Sequence, residues 1–409
     1  CMENYLDLYP EDKITSASFP ENESDIKLLL NGVYAQLREK EVYNQGLFGF
    51  GITDGATPNA FNWGTDEVFN KLGAGRLSSS DGGVVTYRWK RCYEIISRAN
   101  YLLACMDLVD LSEEAKAKYS GETHFLRGLA YSVLAETYGG VPIILTNIST
   151  EEARSLKRAS LEETWQQALD DYEVAITNLG VDAPEPGRAT KGAALGMKMR
   201  AYLYQGKYKE VLSCVEQIDA LKKYGLFHSY EGLFDPANEN NKEVLFDNQY
   251  IEGENSQGSY IDQYCGTGTG SWTRGSRYVP TDDLVAAYET IDGSPVDPEN
   301  PYENRDPRLG FTAVLPGSYF LGYRFPNYLY PGGAFNHAGN RLKHLSTRKY
   351  RIQDESKLPP SGQSYINDII LRYADVLLSK AEAIIETNGN VADAIAILNR
   401  IRTERDDVK

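Results

Sequence analysis

Residues 192–212 read GAALGMKMRAYLYQGKYKEVL, and the architecture follows from how this stretch folds. Thr190 supplies an N-cap hydroxyl ahead of it, so a helix is expected from there to Gln205. Gly206-Lys207-Tyr208 breaks that helix, and a second is expected from Lys207 to about Lys223. Gly196 and Ala201 are small enough to let paired helices approach closely, as tetratricopeptide repeats require at a period of roughly 34 residues. Residues 371–398 repeat the idea around Ala381, Gly389 and Ala394. The spacings differ, so periodicity alone leaves two readings open: degenerate repeats of that kind, or generic helical hairpins.

Working outward, Ile26, Leu29, Leu30, Val33, Tyr34 and Leu37 recur at helical spacing over residues 24–40, with Ser24 as the expected N-cap. Helical periodicity returns over 87–109 and 113–138 and stops at Gly139-Gly140 and Pro142. Ser160 and Glu163 form a capping box ahead of a helix that ends at Gly180 and the Pro184-Glu185-Pro186-Gly187 turn. Two last helices are expected over 366–387 and 391–405. Residues 44–83 and 224–365 read differently, being rich in Gly, Asn, Pro and isolated aromatics, with helical spacing at Thr281–Glu289 and a short β segment at Val244-Leu245-Phe246. Long irregular stretches inside compact domains usually carry function or are disordered. The expectation is a mostly α helix-pair scaffold with a loop-rich second lobe. Residues 1–223, with the excursion 41–86, form the first part, 224–365 the lobe, and 366–409 a helix pair returning to the scaffold. The two excursions are expected to meet.

The 409 residues hold 42 basic and 58 acidic side chains, a net charge of −16. Such a field repels nucleic acid and anionic lipid surfaces and favours neutral ligands such as sugars or neutral peptides. No apolar run approaches the roughly 20 residues that span a bilayer. Of five cysteines, Cys92, Cys105 and Cys214 read as small core residues, and no spacing suggests disulfides or zinc. Cys1 leaves two readings open on position alone, the acylated first residue of a mature bacterial lipoprotein, anchored to a membrane without spanning it, or a boundary that falls there by chance.

Seven segments then appear in a recognisable order: RWKRCYEIISRANYLL (88–103), THFLRGLAYSVLAETYGGVP (123–142), the opening stretch, PTDDLVAAYETIDG (280–293), YENRDPRL (302–309), LRYADVLLSKAEA (371–383) and AIAILNRIRTER (394–405). Together they resemble the SusD/RagB family. The resemblance implies a scaffold of about four tetratricopeptide-like helix pairs with a less regular lobe, a lipidated cysteine matched by Cys1, and a place on the outer face of the outer membrane of Bacteroidetes-type bacteria. It implies glycan capture as the lid of a SusC-like TonB-dependent transporter, or peptide capture as in the RagB branch. A helical scaffold without small ligand is the remaining alternative. The family's E-R-R-x-E-L-like segment, expected beyond residue 405, does not occur in these 409 residues.

Enzyme signatures fail individually. There is no H-E-x-x-H and no G-x-S-x-G, and Gly187-RATK-Gly192 is followed by Ala193-Ala194 where a P-loop needs Lys and Ser/Thr. His124, within a helical pattern, reads as structural, and Asp292–Asp306 as a solvated acidic turn in which Asp306-Pro307-Arg308 is a structural motif. No catalytic residue, metal or cofactor is expected. Sugar faces stack on rings while Asn, Asp, Arg and Tyr groups bond the hydroxyl rim. Trp89 and Trp165 fall in helical patterns and are expected in the core. Trp63 and Trp272 fall in polar loops, the regions from which the family's glycan-binding side chains come. The expected platform is therefore Trp63, Tyr264 and Trp272, rimmed by Asn62, Asp66, Arg274 and Tyr278, with Tyr323 as a further candidate.

Overall fold

A computed structural model describes residues 19–38, 54–62, 71–78, 80–252, 258–259, 261, 278–325, 345–360 and 363–408. The chain divides into two compact units, Cys1–Ala35 with Cys92–Gly180, and Gln36–Arg91 with Val181–Lys409.

The first unit is helical. It contains α1 (Glu23–Ala35), the greater part of α2 (Val84–Cys105), α3 (Glu113–Tyr138), the short α4 (Thr150–Ser155) and α5 (Leu161–Asn178). The cap of α1 is Asn22 rather than Ser24, because the Asn22 side chain accepts the Asp25 N–H at 3.2 Å and Ser24 lies inside the helix. Ser112 caps α3, which stops where Gly139 takes φ +74°, a conformation costly for any side chain. The Ser160–Glu163 capping box forms as expected. Helices α3 and α5 pack tightly because Gly121 and Gly128 leave no Cβ between them. A Cβ on Gly128 would sit 3.1 Å from the Ala168 carbonyl and from Tyr172. Gly128→Val is expected to lower stability by about 1–3 kcal/mol through overpacking, read as a fall in the thermal midpoint. Tyr34 and Tyr119 tie α1 to α3 through Glu122 and Glu23, at 2.7 and 2.8 Å. Trp165 is buried as expected, whereas Trp89 is only half-buried.

The second unit holds α6 (Lys191–Tyr204), α7 (Tyr208–Ala220), the short α8 (Asp282–Ala287) and α9 (Pro307–Thr312), then α10 (Tyr373–Glu386) and α11 (Val391–Thr403). Thr190 caps α6 and Gly206, at φ +67°, makes the turn to α7, both as the opening stretch implies. The pairs α6–α7 and α10–α11 form hairpins, and α10 packs on α7. Tyr373 and Lys380 both bond Asp219 of α7, at 2.7 and 3.2 Å, and Arg200 of α6 bonds Asp375 at 2.6 Å.

The strands of this unit are β1 (Ala60–Asn62), β2 (Val244–Asn248), β3 (Tyr278–Pro280), β4 (Ala313–Val314), β5 (Tyr319–Phe320), β6 (Tyr323–Arg324), β7 (Ser346–Thr347) and β8 (Asp368–Arg372). Among the described residues they form only two-stranded ladders, β1–β3, β2–β8, β4–β7 and β5–β6. The helix expected from residue 366 starts only at Tyr373. Asp368–Arg372 instead extends and pairs with β2, where Ile369 and Ile370 gain the packing that β-branched side chains find on a pleated surface. Gly196 serves this ladder and not its helix partner, since a Cβ there would lie 2.3 Å from Leu371 and 3.1 Å from Leu245.

Candidate functional site

The two excursions share a stem. β1 and β3 run antiparallel with Ala60 opposite Pro280, Phe61 opposite Val279 and Asn62 opposite Tyr278. Thr281 closes it, its N–H donating to the Asn59 carbonyl at 3.1 Å and its hydroxyl to the Pro58 carbonyl. In an antiparallel ladder, the chain leaving Asn62 and the chain arriving at Tyr278 emerge at the same end. Of the expected ligand residues, Asn62, Tyr278 and Tyr323 have described backbones, in β1, β3 and β6. Trp63, Asp66, Tyr264, Trp272 and Arg274 lie outside the described residues, as does Cys1.

β3 lies against β7, and the residues after β7 open onto a cleft of about 370 Å³. Lys349 stands in it among aromatic rings, its Nζ 4.3 Å from the Phe234 centroid, 5.3 Å from Tyr350 and 5.5 Å from Tyr230. The rings brace one another, with Phe234 edge-on to Tyr350 at 4.7 Å and to Tyr230 at 5.6 Å. Burial disfavours charge on Lys349, yet the Tyr230 and Tyr350 phenols outweigh it and hold the ammonium above the usual lysine range. Burial also raises the Asp54 carboxyl, with the Lys349 charge pulling against it, so the turn before β1 faces the same lysine. Arg348 reaches Glu231 at 2.6 Å on the rim. Asp407 pins the rim loop by accepting from the Ser229 hydroxyl and the Tyr230 and Glu231 N–H groups at 2.7, 2.8 and 3.0 Å. Burial pushes the Asp407 carboxyl up, but these bonds win and hold it below the ordinary value.

A second cleft of about 480 Å³ shares Asp235 and Gln353 with the first. Aromatic edges beside Ser, Gln, Glu and Arg suit a wet, largely neutral ligand. Sequence reasoning passed over these residues. The run Arg348-Lys349-Tyr350-Arg351 was their one visible signal, and its ring partners Tyr230 and Phe234 lie more than a hundred positions away.

Elsewhere the polar residues are structural. His124 bonds Asp171 at 2.7 Å within a buried network, as its helical position implied. Asp306 caps α9 and holds Arg308 and Arg402, at 2.6 and 2.9 Å. Asp292 and Asp297 bond backbone N–H groups two residues ahead in exposed turns. Cys92, Cys105 and Cys214 are buried thiols, as expected of small core residues. Among the described residues no group of three or more His, Cys, Asp or Glu side chains is placed to hold a metal ion, and no helix is long and apolar enough to cross a membrane.

Two family descriptions match, "Starch-binding associating with outer membrane" over residues 4–203 and "SusD family" over residues 242–405. A SusD-like protein of Formosa agariphila is 26% identical, the match covering 98% of this chain and 78% of that one. The crystal structure of a SusD-like carbohydrate-binding protein from Bacteroides fragilis superposes with a TM-score of 0.82 at 26% identity, over 94% of this chain and 79% of the other. A laminarin-binding SusD-like protein shares the fold, with a TM-score of 0.73 at 20% identity over 94% and 82%. With the two family descriptions together matching residues 4–203 and 242–405, and relatives matching along nearly its full length, the chain belongs to the SusD/RagB family.

Proposed function

We propose that this chain captures glycans at the cell surface without cutting them and passes oligosaccharide to a SusC-like TonB-dependent transporter, held to the outer membrane by a lipid on Cys1. The observation that carries the reading is the β1–β3 stem. Trp63 directly follows Asn62, and Arg274 and Trp272 precede Tyr278 by four and six residues, so the chain segments that carry these residues start from and return to one ladder, which supports a shared platform with Tyr264. The aromatic cleft after β7, the strand on which β3 packs, supports the reading with its rings and polar rim. The relatives that bear carbohydrate and laminarin in their descriptions support a sugar over a peptide, and the net charge of −16 supports a neutral one.

A glycan array followed by calorimetry tests this. Trp63→Ala and Trp272→Ala are each expected to weaken the selected glycan at least roughly tenfold, the scale of losing one well-packed stacking ring. Unchanged affinity in both variants removes the platform. Incubation of the wild-type protein with the selected glycan is expected to release no new reducing ends, and turnover would overthrow the binding-only role. Co-purification with a TonB-dependent transporter from outer membranes checks the partner, and loss of membrane association in Cys1→Ser checks the anchor.

A further inference from the structure

Where β2 meets β8 the unit buries acids alongside apolar side chains. Asp247, Asp368, Asn248, Asn367 and Tyr250 are each 6% exposed or less. Asn367 organises them. Its side-chain amide donates to Asp247 at 3.1 Å, its carbonyl oxygen accepts the Tyr250 N–H at 2.8 Å, and its backbone N–H donates to Glu239 at 2.8 Å. Asp247 also accepts from the Gln249 amide at 2.6 Å, so two donors support its charge. Among the described residues the Asp368 carboxyl accepts from one donor, the Tyr250 hydroxyl at 3.2 Å. None of the three carboxyl groups forms an ion pair among the described residues. A buried carboxylate without a cation is costly enough that it keeps its proton instead.

We propose that Asp368 is a proton-operated latch in the β2–β8 ladder: protonated it leaves the buried pairing undisturbed, and ionised it places a charge without a cation between the two strands, which the single Tyr250 hydroxyl bond does not offset, and so loosens the ladder. The proton has a way out, because Tyr250 and Glu239 line the 480 Å³ cleft. Every charge facing the cluster bears on the balance. Asp247 opposes ionisation of Asp368, and Asp247 with Asp235 opposes that of Glu239. Arg38 and Tyr87 face Tyr250. At the cleft rim Lys357 pairs with Asp354 at 3.8 Å, leaving Glu252 as a further negative group. Burial first, then the Asp247 charge, raises Asp368 to about 7. Burial raises Asp247 to about 6 and Glu239 to about 7.

The sign follows. The unfolded carboxyl releases its proton near pH 4, so the folded state binds more protons between there and about pH 7. Stability is therefore full below pH 4 and is lost as pH rises through the folded value.

The latch is decided by proton titration, whichever ligand the chain takes. Carboxyl-carbon NMR of the full chain is expected to show Asp368 titrating near neutral pH, and titration near 4 would overturn the proposal. The thermal midpoint is expected to fall by on the order of 5 °C from pH 5.5 to pH 8, with Asp368→Asn clearly diminishing that fall while Glu239 and Asp247 keep their share, because it keeps the shape and a hydrogen-bonding group but cannot ionise. An undiminished fall in Asp368→Asn would also overturn it. Should that variant fail to fold, the wild-type titration stands as the deciding measurement.

Discussion

Replacing Glu243 by alanine is expected to destabilise the second unit by about 3–5 kcal/mol, the cost of stranding buried charge. Glu243 is fully buried and accepts from Arg372 and Arg405 at 2.8 Å each and from the Phe227 N–H at 2.7 Å. Arg405 is itself 1% exposed. One carboxylate oxygen is therefore shared by two guanidinium groups, one at the β8–α10 junction and one beyond α11. Alanine leaves both without a counter-charge and the Phe227 N–H without its acceptor. Glu243→Gln restores an acceptor but not the charge, so it is expected to recover only part of the loss. Arg405 also lies 5.7 Å from the Tyr230 ring, so the damage reaches the aromatic cleft. Urea denaturation followed by circular dichroism gives the stability change, and a shift within about 0.5 kcal/mol, the range of an ordinary surface substitution, would contradict the account.

The second large effect is expected in the first unit. Asp171 of α5 receives Arg127 of α3 at 2.7 Å, with further bonds from its Nε, and also His124 and the Gln167 amide. Arg127 goes on to the Asn100 side chain at 2.8 Å, and Asn100 donates to the Ile144 carbonyl at 2.9 Å. Asp171→Ala removes the only negative group of this buried chain of bonds and leaves a guanidinium 5% exposed with its main partner gone. A loss of about 3–5 kcal/mol is expected. Asp171→Ala combined with Arg127→Met should lose less than the sum of the single changes, since the two share one interaction. Additivity of the pair would contradict this reading.

Much of the scaffold was legible because its signals are local. Ser160 with Glu163, Thr190 before α6 and Gly206 after it are each determined by a few neighbouring residues, and each stands where the sequence reading placed it. Errors arose where distant partners decide. Residues 368–372 carry an apolar pattern compatible with a helix end, but the offer of a ladder with Val244–Asn248 overrides that preference. Gly196 was understood as making room for a helix and makes room for Leu371 instead. The aromatic cleft was invisible for the same reason: Lys349 meets Phe234 and Tyr230 only after the chain between them has folded. The meeting of the two excursions was legible as an organising idea, and the Asn62–Tyr278 pairing bears it out at the level of the backbone.

That three-rung clasp has an evolutionary corollary. Because main-chain bonds make the clasp, it places few demands on the identity of side chains. Insertions, deletions and wholesale exchange beyond Asn62 or before Tyr278 leave the fastening, and so the helices behind it, untouched. Binding preference on such a frame can drift quickly and be transplanted between cousins as a cassette, while the body that carries it changes slowly.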